Sequence, residues 1–278
     1  MSKLSPALKG LVNAPFARPG QTPAPSGIRS VYERIATEAS QRSYGRNPWL
    51  ALSAAATFTL NSPDALHALF QVSQSQKTHS PKDAAELIRE VGLKCISFNG
   101  IPRTINCLGA FRAGLDPDIA KQLETRPTRG VDAGNIDATN ARGRALWESI
   151  YVPFDGKLID RLAESHPDLP VHIVGSHYGP LLSDPSERNG LASVGRALTS
   201  VVAIACLRAQ TGVGPQVLSH VFGLRKAVEQ RAHEAEAKDD VQGIERLAEE
   251  EGCEWILRSV DRIAEAIGNN FAVRESKL

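Results

Sequence analysis

Apolar residues recur at helical spacing along most of the chain, and no stretch alternates in the way a half-buried strand would. "SGIRSVYERIATEASQR" opens with a serine cap ahead of an amphipathic run. "NPWLALSAAATFTLN" is small and apolar all round, which predicts a buried helix. "SPDALHALFQVSQSQ" carries a serine cap, proline at the first helical position and aspartate in the first turn. "SPKDAAELIREVGLKCISFNG" repeats that serine–proline start. The stretch 116–145 is polar and rich in turn residues, and reads as a linker or surface excursion. Helical patterns resume at "LWESIYVPF" and run on through "ASVGRALTSVVAIACLRAQTG", "GPQVLSHVFGLRKAVEQRAHEAEA" and "DVQGIERLAEEEGCEWILRSVDRIAEAIG".

A weak internal repeat adds organisation to this pattern. At an offset of 152 residues, Ala51 meets Ala203, Pro63 meets Pro215, Leu66 meets Leu218, Phe70 meets Phe222, and Gly100 meets Gly252. One register without a gap aligns three helices in succession. The expected architecture is therefore all-α, with two tandem helical modules at 27–115 and 146–270. A flexible segment 1–26 precedes them, the linker 116–145 joins them, and a tail 271–278 follows.

Composition narrows the classes of function. The chain is 42% hydrophobic and 23% charged, as an ordinary soluble protein is. A net charge of +1 gives no electrostatic reason to expect nucleic acid or an anionic membrane as partner. No apolar run reaches the roughly 18 residues of a membrane span, and "ALTSVVAIACLRA" reads as a buried helix instead. The segment before Glu33 is weakly basic, but prolines at 6, 15, 19, 23 and 25 interrupt any amphipathic presequence helix. The cysteines at 95, 107, 206 and 253 form no Cys-x-x-Cys pair and have no zinc spacing. No His-x-x-x-His or Glu-x-x-His helix motif points to a metal. Phosphate-binding glycine loops and an activated-serine elbow are absent as well.

The last three residues, Ser276-Lys277-Leu278, match an address read by the peroxisomal import receptor. The competing reading is a polar chain end with no message. The address predicts a peroxisomal matrix protein that has the import receptor as a partner.

"EVGLKCISFNGIPRTINCLGAFRAG" resembles the Gly-x-Pro-x-x-x-Asn stretch of the carboxymuconolactone decarboxylase family, here Gly100, Pro102 and Asn106. "ALWESIYVPFDGKLIDRLAESHPDLPVHIVGSHYGPLLSDP" resembles the connecting region of the larger members. "LTSVVAIACLRAQTGVGPQVLSHVFGLRKA" resembles the helix pair whose second helix carries an inward histidine. Together these cover most of residues 46–270, and the chain looks like the fungal peroxisomal matrix members. The resemblance implies tandem decarboxylase-like (alkylhydroperoxidase D-like) modules, a core completed by at least a dimer, and one of two chemistries. One group acts on a small carboxylated lactone without a cofactor. The other runs a disulfide cycle through a Cys-x-x-Cys pair, with a glutamate and a histidine as proton relay.

The disulfide cycle lacks its sulfurs. Behind Gly100 the two cysteine positions hold Ile101 and Thr104; behind Gly252 they hold Cys253 and Ile256. A one-cysteine reaction at Cys253, resolved by an external thiol, stays open. His220 in "PQVLSHVFGL" is the first candidate for acid–base work, because the resemblance and an apolar helical face both place it inward. The competing reading is a core histidine bonded to a backbone carbonyl. His67 is its rough counterpart, one position out of register. His177 and Tyr178 in "GSHYGP" are candidates to line a pocket. Arg103 and Lys94 are candidates to bind a carboxylate. Glu86 and Glu90 share a helix face near the expected relay position. The expected function is a cofactor-free enzyme acting on a small acid, lactone or hydroperoxide. The alternative is a non-catalytic helical protein that keeps the fold for binding or assembly.

Overall fold

The computed structural model describes residues 4–77, 79–236 and 240–268, and all regular structure among them is helical. The address Ser276-Lys277-Leu278 lies outside the described residues. The first helices are α1 (Pro6–Val12), α2 (Ile28–Gln41), α3 (Arg46–Thr59), α4 (Pro63–Ser75), α5 (Pro81–Lys94), α6 (Ile96–Asn99), α7 (Ile101–Gly114) and α8 (Pro117–Gln122). After a turn-rich stretch come α9 (Ile136–Tyr151), α10 (Asp155–Ser165) and α11 (Leu169–Val171), which runs into a wide-turned π segment, His172–Leu182. The rest are α12 (Gly195–Gln210), α13 (Gly214–Glu229), α14 (Ala232–Glu236), α15 (Val241–Ala248) and α16 (Glu250–Ile267).

The small-residue helix α3 occupies the centre. Every residue from Pro48 to Thr59 is buried, as an all-round apolar pattern requires. Its main partner is α12, buried almost throughout, and the Cys206 thiol of α12 lies 3.8 Å from the Ala55 carbonyl of α3. The outer helices present one face each. On α2, Ile28, Tyr32, Ile35, Ala36 and Ala39 point inward, and the Tyr32 hydroxyl lies 2.6 Å from the Thr57 hydroxyl. Glu38 on the same helix ties α16 down by accepting from Arg262 at 2.7 and 2.8 Å and from the Trp255 indole at 3.1 Å.

The helix starts differ in how they are capped. Ser80 caps α5 by accepting from the Asp83 amide at 3.1 Å. Ser62 precedes α4 without bonding its free amides, and α2 starts behind Gly27 with no side-chain cap. The run containing Gly-x-Pro breaks at Gly100, whose φ of +78° favours glycine, so α6 and α7 are separate helices. The segment 4–26 includes α1 and is pinned at Thr22, which donates to the Leu60 and Asn61 carbonyls.

At the 152-residue offset, α3, α4 and α7 fall on α12, α13 and α16, while α5 falls on the shorter α14 and α15. A single apolar core spans both expected modules, joining Leu50, Phe58 and Ile88 to Ile204, Ile256 and Val260. A smaller cluster of Trp147, Ile150, Tyr178 and Leu182 sits between α9 and the π segment. These two elements approach closely because both carry glycine: a Cβ on Gly143 would lie 2.5 Å from the Gly179 amide. The register does not carry over burial. Leu66 and Phe70 of α4 are buried, whereas Leu218 and Phe222 of α13 are 56% and 52% exposed.

One face of α5 is ionic and buried. Glu86, Glu90 and Lys94 recur every four residues and point into the protein. Glu86 accepts from Arg89 at 2.9 Å and from the Glu124 amide at 2.7 Å. Glu90 meets Arg129 and Arg188, each at 2.6 Å. Lys94 donates to the Leu182 carbonyl and pairs with Asp184 at 2.8 Å. Asp184 in turn accepts from the first amides of α12, Val194 at 2.9 Å and Gly195 at 2.8 Å. The ladder thereby clamps the polar stretches around 124–129 and 184–195 onto α5. Among the described residues no helix is long and apolar enough to cross a membrane.

Removing one member of this ladder leaves a buried charge uncompensated. Glu90→Ala and Lys94→Ala should each cost about 3–5 kcal/mol in urea unfolding. Burial opposes ionisation of Asp184, but Lys94, the Gly195 amide and Arg129 outweigh it and hold its carboxyl below the ordinary value. A depressed carboxylate contributes stability that is present above its unfolded pKa, about 3.9, and lost as pH falls through the folded value. Asp184→Asn should therefore flatten the loss of unfolding midpoint below about pH 4.

Candidate functional site

The candidate site forms where four elements meet: the end of α9, the π segment, α6 and α13. Trp147 and Tyr151 are one turn apart on α9, with ring centroids 4.2 Å from each other. Tyr178 of the π segment meets Trp147 edge-on at 5.2 Å, and its hydroxyl lies 3.1 Å from that of Tyr151. The wide turns of this segment are visible in the Ser183 amide, which bonds the Tyr178 carbonyl five residues back at 2.9 Å. Burial raises both phenols, so each stays a neutral hydrogen-bonding group at physiological pH.

His220 of α13 lies against this aromatic group. Its ring stands edge-on to Phe98 at 6.0 Å and to Tyr151 at 6.4 Å. It is 5% exposed, and its Nδ1 is buried with no hydrogen-bond partner among the described residues. The backbone carbonyl that a structural core histidine would bond is thus missing at Nδ1. Burial, reinforced by the nearby Arg196 guanidinium, pushes its pKa down from 6.5 to about 4. The imidazole is therefore neutral near pH 7 and able to accept a proton or a hydrogen bond.

Arg196 sets the frame behind it. From α12 it donates to the Ser149 hydroxyl at 2.7 Å, the Ser200 hydroxyl at 2.8 Å and the Gly223 carbonyl at 2.8 Å. One guanidinium thus fixes α9, α12 and α13 relative to each other. Its five donors in a rigid fork allow this where a lysine would not.

The structure gathers His220, His177 and Tyr178 near one another and places Arg103, Cys253, Lys94, Glu86 and Glu90 elsewhere. His177 joins the cluster from the π segment, its Nδ1 3.1 Å from the Ser97 hydroxyl on α6, and burial lowers its pKa. Tyr178 follows it directly, and Tyr151 links Tyr178 to His220. Arg103 lies elsewhere, on α7, where it donates to the Thr59 carbonyl at the end of α3. Cys253 sits at the α15–α16 corner, its thiol 3.7 Å from the carbonyls of Leu247 and Ala248. Burial raises that thiol, against the pull of Arg225. Lys94, Glu86 and Glu90 are held in the buried ladder.

Several neighbours were not singled out by the pattern. Tyr151, Trp147 and Phe98 carry no chemistry-bearing motif, although an aromatic pair one turn apart at 147 and 151 is a signal for a shared face. Cys95 and Cys206 are the other surprise. Their sulfurs lie 3.5 Å apart in the core, although 111 residues separate them. Both are thiols, and burial raises that of Cys95 well above its ordinary value. Among the described residues no group of three or more His, Cys, Asp or Glu side chains is placed to hold a metal ion.

"Peroxisomal protein 2" of Saccharomyces cerevisiae is 26% identical to the chain over 174 residues, covering 56% of the chain and 59% of that protein. The chain thus spans about three fifths of the length of the curated relative it matches. No family model matches the chain. No solved structure matches it either.

A neutral, buried His220 has a measurable signature. Its folded pKa lies below the unfolded value, so the fold favours the neutral ring. Its contribution is complete above pH 6.5 and declines as pH falls from 6.5 to about 4. Ring-proton NMR should show two histidines titrating near pH 4, His79 and His220, and His220→Gln should remove one of the two. That variant should also lose less stability than wild type between pH 6.5 and 4.

Proposed function

We infer that this chain is a peroxisomal protein that handles a small molecule beside His220 by cofactor-free acid–base chemistry. The peroxisomal part rests on the similarity to the yeast Peroxisomal protein 2 and on the terminal Ser276-Lys277-Leu278. The import receptor is the partner this reading assigns, and the matrix is the compartment. The chemical part rests on one observation, the buried and unbonded Nδ1 of His220 among Phe98, Tyr151 and the Tyr151–Tyr178 hydroxyl pair.

A neutral imidazole in a site of low polarity takes a proton from a carbon or oxygen acid without first shedding one of its own. The linked phenols of Tyr151 and Tyr178 supply a hydrogen bond to the oxygen on which charge then develops. His177, braced by Ser97, lies at the margin as a second polar contact. The substrate class this suits is a small carboxylated compound or lactone, in keeping with the resemblance to carboxymuconolactone decarboxylases. Homo-oligomerisation belongs to the same reading. A thiol route is less favoured, since burial raises the pKa of both Cys95 and Cys253 and a thiolate is the reactive form.

Turnover on a panel of lactones, carboxylated lactones and hydroperoxides tests the chemistry. His220→Gln should lower kcat about 10²-fold or more, with KM little changed. Full activity in that variant would remove His220 from the chemistry, and no turnover by wild type across the panel would favour the binding alternative. Deleting Leu278 from a fluorescent fusion should leave it in the cytosol; import of the shortened fusion would place the address elsewhere.

A further inference from the structure

We propose that the groove between the end of α9, α10 and α13 binds an apolar monocarboxylate, a molecule with a hydrocarbon body and one terminal carboxylate. The groove encloses about 510 Å³, within the range of small-molecule sites. Its floor is apolar, made by Ile150, Tyr151, Phe154, Leu158 and Phe222. Phe154 is 66% exposed, although burial of an aromatic side chain is strongly favourable. In α4, the counterpart helix, the position equivalent to Phe222 is covered; on α13 it is open.

The rim decides the chemistry. Lys157, Arg161 and Lys226 line the groove, and no carboxylate does. Lys226 is fixed by donating to the Ile150 and Val152 carbonyls at 2.9 and 2.6 Å, where it offsets the negative end of α9. Lys157 and Arg161 stand one turn apart on α10, both exposed. Among the described residues the ion pairs on this side are made by Arg144, to Glu148 and Asp155, and include neither Lys157 nor Arg161. Lys157 and Arg161 hold one carboxylate while the floor takes the hydrocarbon. The groove beside Glu38 and Arg262 differs: guanidinium and carboxylate groups alternate around it, so it has no preference for an anion.

The groove also leads toward the candidate site. Tyr151 forms part of its floor, and the same ring packs on His220. A bound apolar carboxylate would therefore lie with its body against Tyr151. Only this last point rests on the reading of His220 given above; binding itself does not require turnover.

Decanoate, kept below its micelle concentration, is the probe, with binding followed by calorimetry on the full chain. Saturable one-site binding that weakens with added salt is expected. Lys157→Glu/Arg161→Glu should weaken it about tenfold or more, while His220→Gln leaves it intact. Decanol should bind more weakly, and decyltrimethylammonium not measurably. Equal binding of decanoate by wild type and the double variant, or equal affinity for decanol, would overturn the proposal. So would protein that pelleted with anionic vesicles but ignored monomeric decanoate, which would make the groove a membrane contact. Sedimentation that showed the double variant alone failing to dimerise, with no decanoate bound by wild type, would assign the groove to a second copy and overturn it too. A thermal melt matching wild type confirms that the variant is folded.

Discussion

The packing of α3 on α12 is the contact on which the rest of the molecule depends. Both helices are rich in alanine, serine and threonine, so their backbones come close enough for the Cys206 thiol of α12 to reach the Ala55 carbonyl. Close approach buries nearly all sides of each helix, and every other long helix then needs only one apolar face to dock on the pair. It also explains why Cys95 and Cys206 meet: Cys95 closes α5, which packs on α3, and Cys206 lies within α12. A bulky residue at Ala55 or Ala203 would separate the pair and open the core from the middle, because close-packed interiors absorb little added volume.

The buried ladder on α5 serves a different purpose. Charged side chains contribute little net stability when buried, since desolvation cancels most of the attraction. What they do here is help choose one position for two largely polar stretches, the second of which also sets Val194 into the core. Arg129 reaches both Glu90 and Asp184, and Asp184 also accepts from the start of α12. The start of α12 is thus placed by electrostatics, and Arg196, one residue further on, frames His220. The ladder and the candidate site are linked through a single helix end.

Much of the helical layout was legible because its causes are local. Helical spacing, the serine–proline starts at 62–63 and 80–81, and the all-round apolar character of α3 and α12 are properties of short stretches. The 152-residue register marked equivalent helices, yet it could not show that Leu218 and Phe222 lie open where Leu66 and Phe70 are covered. Burial depends on which other element arrives: α2 packs on α4, whereas α13 is met by α9, which leaves Leu218 and Phe222 uncovered. Lys94 illustrates the same gap: a lysine in the last turn of a helix reads as solvated, and only Asp184, distant in sequence, makes its burial tolerable.

His220, His177 and Tyr178 stood out in the sequence because their residue types carry acid–base and hydrogen-bonding chemistry. Their meeting point did not, since Tyr151, Phe98 and Arg196 come from three other elements and belong to no motif. Taken alone, the sequence determined the helical class and the small-residue centre, both written in local composition and spacing. Only the tertiary structure decided which histidine loses its partner, which cysteines face each other and which apolar face stays open. Those are outcomes of helices packing across more than 100 residues of chain, where neighbours in space are set by the core and not by sequence distance.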